Sequence, residues 1–365
     1  MQLLITEPSN NGSDPDKVPL YVFIKAIIPA IELRNVITLQ NIQARLLICL
    51  YEIGHMILPS MFLSVGTVAR CAIAIGCDRS VKPRESSAED WISREEEKRV
   101  WWTIYILDSY VPILTELCNF VTDDPSLNDC LPIEDSLWVA DALPVPEPLP
   151  LTTPANVRVG PLARTVQAAH LLRRTTVHVR RSTGNEIFNA NEAAQLYGVM
   201  TCLSDLIFKQ STDPYCMNFC GAISMCHSVR ILLHHYHQID ESNRHYESCN
   251  HYFGTVAESC SAVINMAKRF NSIAALFNAN ALNPLLPFCI YQAGSALTES
   301  YEWNFEGDKQ QSLKELKVML RFFGQRWKIA GQGTESRKVQ NSSAASTWSE
   351  CLYVGGVPWM EAGKA

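Results

Sequence analysis

The chain has 365 residues, 47% of them hydrophobic and 19% charged, which is ample for a packed interior of one large or two ordinary domains and excludes wholesale disorder. Thirty-one Lys and Arg against 37 Asp and Glu give a net charge of -6, so phosphate backbones and anionic membranes meet no global attraction. The thirteen cysteines run from Cys49 to Cys351, mostly inside apolar helical text, and read as reduced core residues rather than a disulfide scaffold. Residues 1–16 lack the basic start and apolar run of a signal peptide, and no span of about 18 uninterrupted apolar residues occurs. A soluble intracellular protein without membrane contact is expected.

In chain order, residues 1–18 read as a disordered tail and 19–140 as a helical region. Ile42, Leu46, Cys49, Leu50, Ile53 and Ile57 form the stripe of an amphipathic helix. Residues 61–76 carry one charge, Arg70, and predict a buried helix ended by Gly76. After a polar loop over 78–90, Ser93 with Glu96 predicts a capping box opening a long helix to about Leu114. Glu97, Trp101, Ile104, Tyr105 and Asp108 share one of its faces, and an aspartate there has to be paired or solvated.

Five prolines between Pro144 and Pro154 forbid helix and predict an extended connector over 141–155. A second helical region follows over 156–330, with helices expected at 157–181, 191–208, 215–237, 248–270 and 313–329, and then a flexible tail over 331–365. Strand text is scarce and no βαβ rhythm appears. The expected fold is therefore all-α, a bundle or array of roughly ten helices with a proline-rich connector.

Enzyme signatures are thin. Asp123-Asp124 invites comparison with the aspartate-rich helices of terpenoid synthases, but Pro125 breaks the helix and Leu127 stands where a third carboxylate is needed. Hydrolase, zincin and phosphate-loop motifs are absent. His227 and His234, seven residues apart beside His235 and His237, fit either a partial zinc ligand set with a carboxylate from elsewhere or solvated or hydrogen-bonded helix-end histidines, and the second is the simpler reading. No Cys-x-x-Cys occurs, so Cys216, Cys220 and Cys226 read as core. Arg173, Arg174, Arg180 and Arg181 recur at i, i+7 as a basic face, open to a phosphate backbone or an import receptor but better read as solvated and ion-paired. No catalytic, cofactor or metal residue is assigned.

The most specific text runs from Glu95-Glu96-Glu97-Lys98-Arg99-Val100-Trp101-Trp102 to Asp108. With the helix around Gln43, the Gly66 to Gly76 segment containing Arg70, then Arg79, and Leu131-Pro132 with Asp135 and Trp138, it resembles the fungal-specific transcription factor domain, the regulatory region that follows the zinc binuclear cluster in many fungal activators. The signature positions are Gln43, Gly66, Arg70, Gly76, Arg79, Glu97, Arg99, Trp101, Trp102, Asp108 and Pro132. The resemblance implies a nuclear transcription regulator, partners in the transcription machinery or a related regulator, and a small-molecule effector. Residues 162–179 and 326–331 look like regulators of secondary-metabolite genes. The family's six-cysteine module has no counterpart here, so neither zinc nor direct DNA binding is expected of this chain. An accessory partner of a full-length regulator is the alternative, and a terpenoid-synthase-like enzyme a remoter one.

Overall fold

The computed structural model describes residues 2–5, 14–32, 34, 37–83, 90–115, 117–140, 147–154, 156–211, 217–240, 256–278, 282–299 and 306–331. These are overwhelmingly helical, and among them the β pairing is an isolated bridge between Cys130 and Pro150. The all-α class read from the sequence is the fold found. The chain forms two compact units, 1–229 and 230–365.

The first unit contains α1 (Gln2–Ile5), α2 (Pro19–Glu32), α3 (Leu39–Gly54), α4 (Ser60–Ala74), α5 (Trp91–Thr115), α6 (Asp135–Val139), α7 (Pro161–Arg180) and α8 (Glu186–Gln210). The unit boundary falls within α9 (Cys220–Asp240). Helix α3 starts where the Thr38 hydroxyl accepts from Asn41 N at 3.3 Å; of its predicted stripe Ile42, Leu46, Cys49 and Ile53 are buried, Leu50 is half-buried, and Ile57 is buried beyond the helix end. α1 and α2 have no polar face for a periodicity to reveal. Leu3 and Tyr21 are nonetheless buried against Ile48, Tyr51 and Ile57, so part of the stretch read as a loose tail packs on the core.

Helix α5 is the centre of this unit, contacting α3, α4 and α7. It begins at Trp91, whose buried ring meets Trp138 edge-on at 6.2 Å. That burial draws the helix start ahead of the expected capping box, leaving Ser93 inside the helix, while Glu96 is taken by Gln43. The proline-rich stretch also behaves differently from a domain divider. Leu131 N donates to Leu149 O at 2.7 Å and Leu151 N to Asp129 O at 2.8 Å, because extended proline-rich backbone still offers carbonyls and the occasional N–H. Beyond it α7 packs directly on α5, so both lie in one unit. Residues 141–146 and 155 of the connector, and 332–365 of the tail, lie outside the described residues.

The second unit contains α10 (Val256–Ile273), α11 (Pro287–Glu299), α12 (Glu306–Gly324) and α13 (Lys328–Gly331). Cys260, Val263, Ile264, Ala267 and Phe270 repeat at helical spacing and face inward. Phe270 stacks on Phe277 at 5.5 Å and meets Phe322 edge-on at 5.2 Å. The single helix expected over 313–329 breaks after Gly324. Trp327 turns inward there, and its indole N–H donates to Leu282 O at 2.9 Å.

Candidate functional site

The signature residues gather on α5 and the two loops that cross it. Asp108, 4% exposed, has no water to solvate it and is answered from three sides. It accepts from Val121 N at 3.1 Å, Thr122 N at 2.9 Å and the Thr122 hydroxyl at 2.6 Å, which fixes the returning loop over 117–124. The fourth donor is Arg173 Nη2 of α7 at 2.6 Å. The same guanidinium donates to Thr122 O at 2.8 Å, to Thr122 Oγ1 at 2.6 Å and to Ser109 Oγ at 3.2 Å. It lies over the Tyr105 and Phe120 rings, 4.4 and 4.2 Å from their centroids. A buried charge pair of this kind is stable only when the remaining donors and acceptors are also satisfied, and here they are. Beside it the Tyr105 hydroxyl meets His170 Nδ1 at 3.1 Å. Burial holds the His170 ring below the usual imidazole range, with Asp124 acting against that and Arg174 and Arg173 adding to it.

A second carboxylate works one turn from the helix start. Glu95, 2% exposed, accepts from Lys98 Nζ at 2.9 Å, Arg99 Nε at 3.1 Å and Ile133 N at 2.9 Å. Arg99 continues to Asp135 Oδ1 at 2.6 Å and Ile133 O at 2.9 Å, and its guanidinium lies over the Trp138 ring at 5.2 Å. Between the two carboxylates the fully buried Trp102 donates from its indole N–H to Cys130 O at 2.9 Å. Trp101 is buried too, and Pro132 is buried in the strapped segment. The Leu-Pro segment is therefore held to α5 by Glu95, Arg99 and Trp102 together.

The other signature positions act nearby or face outward. Gln43 of α3 donates to Glu96 Oε1 at 2.8 Å, tying α3 to α5. At Gly66 an added Cβ would sit 3.5 Å from Val121 Cγ2, so α4 lies close against the loop that Asp108 holds. Gly76 adopts φ +86°, a left-handed conformation that glycine takes without a Cβ clash, and this ends α4. Arg70 and Arg79 are exposed. Glu97 is half-buried and burial raises its carboxyl, an effect that Arg94 opposes and Glu96 reinforces.

The four-arginine face is not one face. Adjacent helical residues point about 100° apart, so Arg173 turns into the core while Arg174 stays exposed, 3.5 Å from Glu192. Arg180 and Arg181 are exposed, and Arg181 donates to Cys118 O. Sequence reasoning found Asp108 and its need for a partner but not Arg173 as that partner, and it read Glu95 only as a charge favoured at a helix start. Of the two forms open to helix-end histidines, solvated or hydrogen-bonded, burial removes the first for His227 and His234. Cys216 and the side chains of His235 and His237 lie outside the described residues.

Asp123 and Asp124 are exposed, and Asp129 is bound to Lys82 at 3.0 Å. Among the described residues no three His, Cys, Asp or Glu side chains converge on a metal position, and no helix is long and apolar enough to cross a membrane. Cys49, Cys77, Cys130, Cys226, Cys260 and Cys289 are buried thiols outside any disulfide. No Cys-x-x-Cys occurs in the sequence.

Against known proteins, the profile described as "Fungal specific transcription factor domain" matches residues 5–212. Among curated proteins the chain is 32% identical over 96 residues to "Transcription factor BOA15" of Botryotinia fuckeliana (strain B05.10), covering 26% of this chain and 51% of the relative. The chain thus spans about half the length of that relative. No solved structure matches.

Proposed function

The chain belongs to the fungal specific transcription factor domain family, and from that membership we propose that it is the helical regulatory body of a nuclear transcription regulator, working through protein contacts and a small-molecule effector. The observation that carries this reading is the match over 5–212, which takes in α5, both strapped loops and α7. The chemistry of the site agrees with it. Asp108 and Arg173 are spent on one another and on the loop over 117–124, and Glu95 on Lys98, Arg99 and the Ile133 N–H, an arrangement that fixes the loops against α5.

The finer reading is control of a secondary-metabolite gene cluster, in which promoter contact is supplied by a related regulator or by protein outside these residues. Fusing the chain to a heterologous DNA-binding module and measuring a reporter tests the regulatory reading, and deleting the gene with transcript profiling tests the target class. A change in reporter output together with coordinated loss or gain of one cluster's transcripts is expected. An inert fusion with unchanged transcripts overturns the reading.

A further inference from the structure

The turn between α7 and α8 carries a charge pattern that the Asp108 cluster does not use. Residues 180–188, Arg180-Arg181-Ser182-Thr183-Gly184-Asn185-Glu186-Ile187-Phe188, are exposed without interruption. Arg180 and Arg181 face no carboxylate among the described residues, and Arg181 donates to the neutral Cys118 O. Three residues after Arg180 the turn offers a hydroxyl. Thr183 Oγ1 donates to Asn189 Oδ1 at 2.7 Å and accepts from Asn185 N at 3.3 Å. Asn189, itself buried, also accepts from Thr183 N at 3.2 Å and donates to Thr183 O at 2.7 Å, so one amide side chain clasps the whole residue. The same sequence pattern occurs one helical stretch earlier as Arg173-Arg174-Thr175-Thr176, but there Arg173, Thr175 and Thr176 are buried within α7. Burial therefore separates a usable copy of the pattern from an unusable one.

Guanidiniums two and three residues ahead of an exposed hydroxyl suit a partner that sets carboxylates against the cations and a phosphoryl donor against the oxygen. Two cations supply only two phosphate contacts, too few to hold a nucleic acid to a chain of net charge -6. We propose that Thr183 is the phosphate acceptor of an arginine-directed serine/threonine kinase, with the Asn189 clasp as its gate. In the transfer Thr183 Oγ1 bonds to the γ-phosphorus of magnesium-bound ATP and the bond from that phosphorus to the β,γ-bridging oxygen breaks. ADP leaves with the electron pair, and the hydroxyl proton passes to the base of the kinase. In the closed turn Asn189 holds that proton, so the kinase meets a competent hydroxyl only in the fraction of molecules whose turn has opened. The ester oxygen of the product has no proton to return to Asn189. Two arginines and one glutamate give 180–188 a net charge of +1, and a phosphate of about −1.5 to −2 reverses its sign. This site is independent of the regulatory reading, to which it adds a covalent control.

The test incubates the full chain with magnesium ATP and the catalytic subunit of cyclic-AMP-dependent protein kinase, which reads arginines at these two positions, and maps the phosphate by mass spectrometry. Label on Thr183 and none on Thr176 is expected, and Thr183→Ala should remove it. Arg180→Gln with Arg181→Gln replaces two exposed side chains and should lower kcat/KM for the transfer at least about ten-fold, whereas Arg174→Gln, in the buried copy of the pattern, should leave it unchanged. Asn189→Ala, with circular dichroism to verify folding, should raise kcat/KM at least about five-fold by opening the turn. Absence of label, label on Ser182 or Thr176 in place of Thr183, equal kcat/KM without Arg180 and Arg181, or a folded Asn189→Ala chain that is phosphorylated no faster overturns the proposal.

Discussion

Removing the Arg173 guanidinium tests whether Asp108 is the pin that holds the loop over 117–124 to α5. Arg173→Met keeps an unbranched side chain between Tyr105 and Phe120 but deletes the donors to Asp108, Thr122 and Ser109. Asp108 is left with Val121 N, Thr122 N and the Thr122 hydroxyl as neutral donors to a buried charge. Breaking a buried pair from one side costs about 3–5 kcal/mol, roughly a fifth or more of the stability of an ordinary domain. Asp108→Asn removes the orphaned charge while keeping an oxygen for the loop N–H groups. The double variant should therefore recover at least about 1.5 kcal/mol relative to the sum of the single losses. With two compact units in the chain, one melting transition does not define the quantity. Hydrogen exchange of peptides covering 100–125 and 161–180 does. Arg174→Ala is the control: its exposed pairing with Glu192 at 3.5 Å is worth at most about 1 kcal/mol. A loss for Arg173→Met no larger than that control, or strict additivity in the double variant, refutes the reasoning.

Glu95→Ala should free the Leu-Pro segment by stripping the acceptor of Ile133 N and the counter-charge of Lys98 and Arg99, at about 2–4 kcal/mol; faster proteolysis within 124–140 reports it. Gly76→Ala should cost about 1–2 kcal/mol of local stability, read by hydrogen exchange of peptides covering 60–83, because φ +86° brings a Cβ against the following carbonyl. Thiol labelling at pH 8 should reach exposed Cys202 well before Cys77 and Cys260, whose thiols burial pushes up to about 12. The same two thiols set a pH dependence. Both pKa values are raised on folding, so the native state keeps its protons while the unfolded chain loses them. Stability from these groups is complete below about pH 9 and falls as pH rises toward 12, which urea titrations read by limited proteolysis, separately for 1–229 and 230–365, should show across that window.

The fold class was legible because α3, α4, α5 and α7 bury residues at helical spacing, and periodicity reports that directly. α2 was not, since Val22, Phe23, Ile27 and Ile31 are exposed while Tyr21 is buried, leaving no polar face to mark the helix. The site was half legible. A carboxylate amid apolar text announces that it needs a partner, but the partner lies 65 residues on, beyond a proline stretch that looks like a boundary. Arg173 was hidden further by sitting in a run of basic residues, where two adjacent arginines share a charge and not a direction. Glu95 was hidden because an acidic residue near a helix start has a sufficient local explanation, whereas its actual acceptor role serves Ile133 N, 38 residues away. Local pattern shows that a buried charge must be answered, and tertiary packing decides by whom.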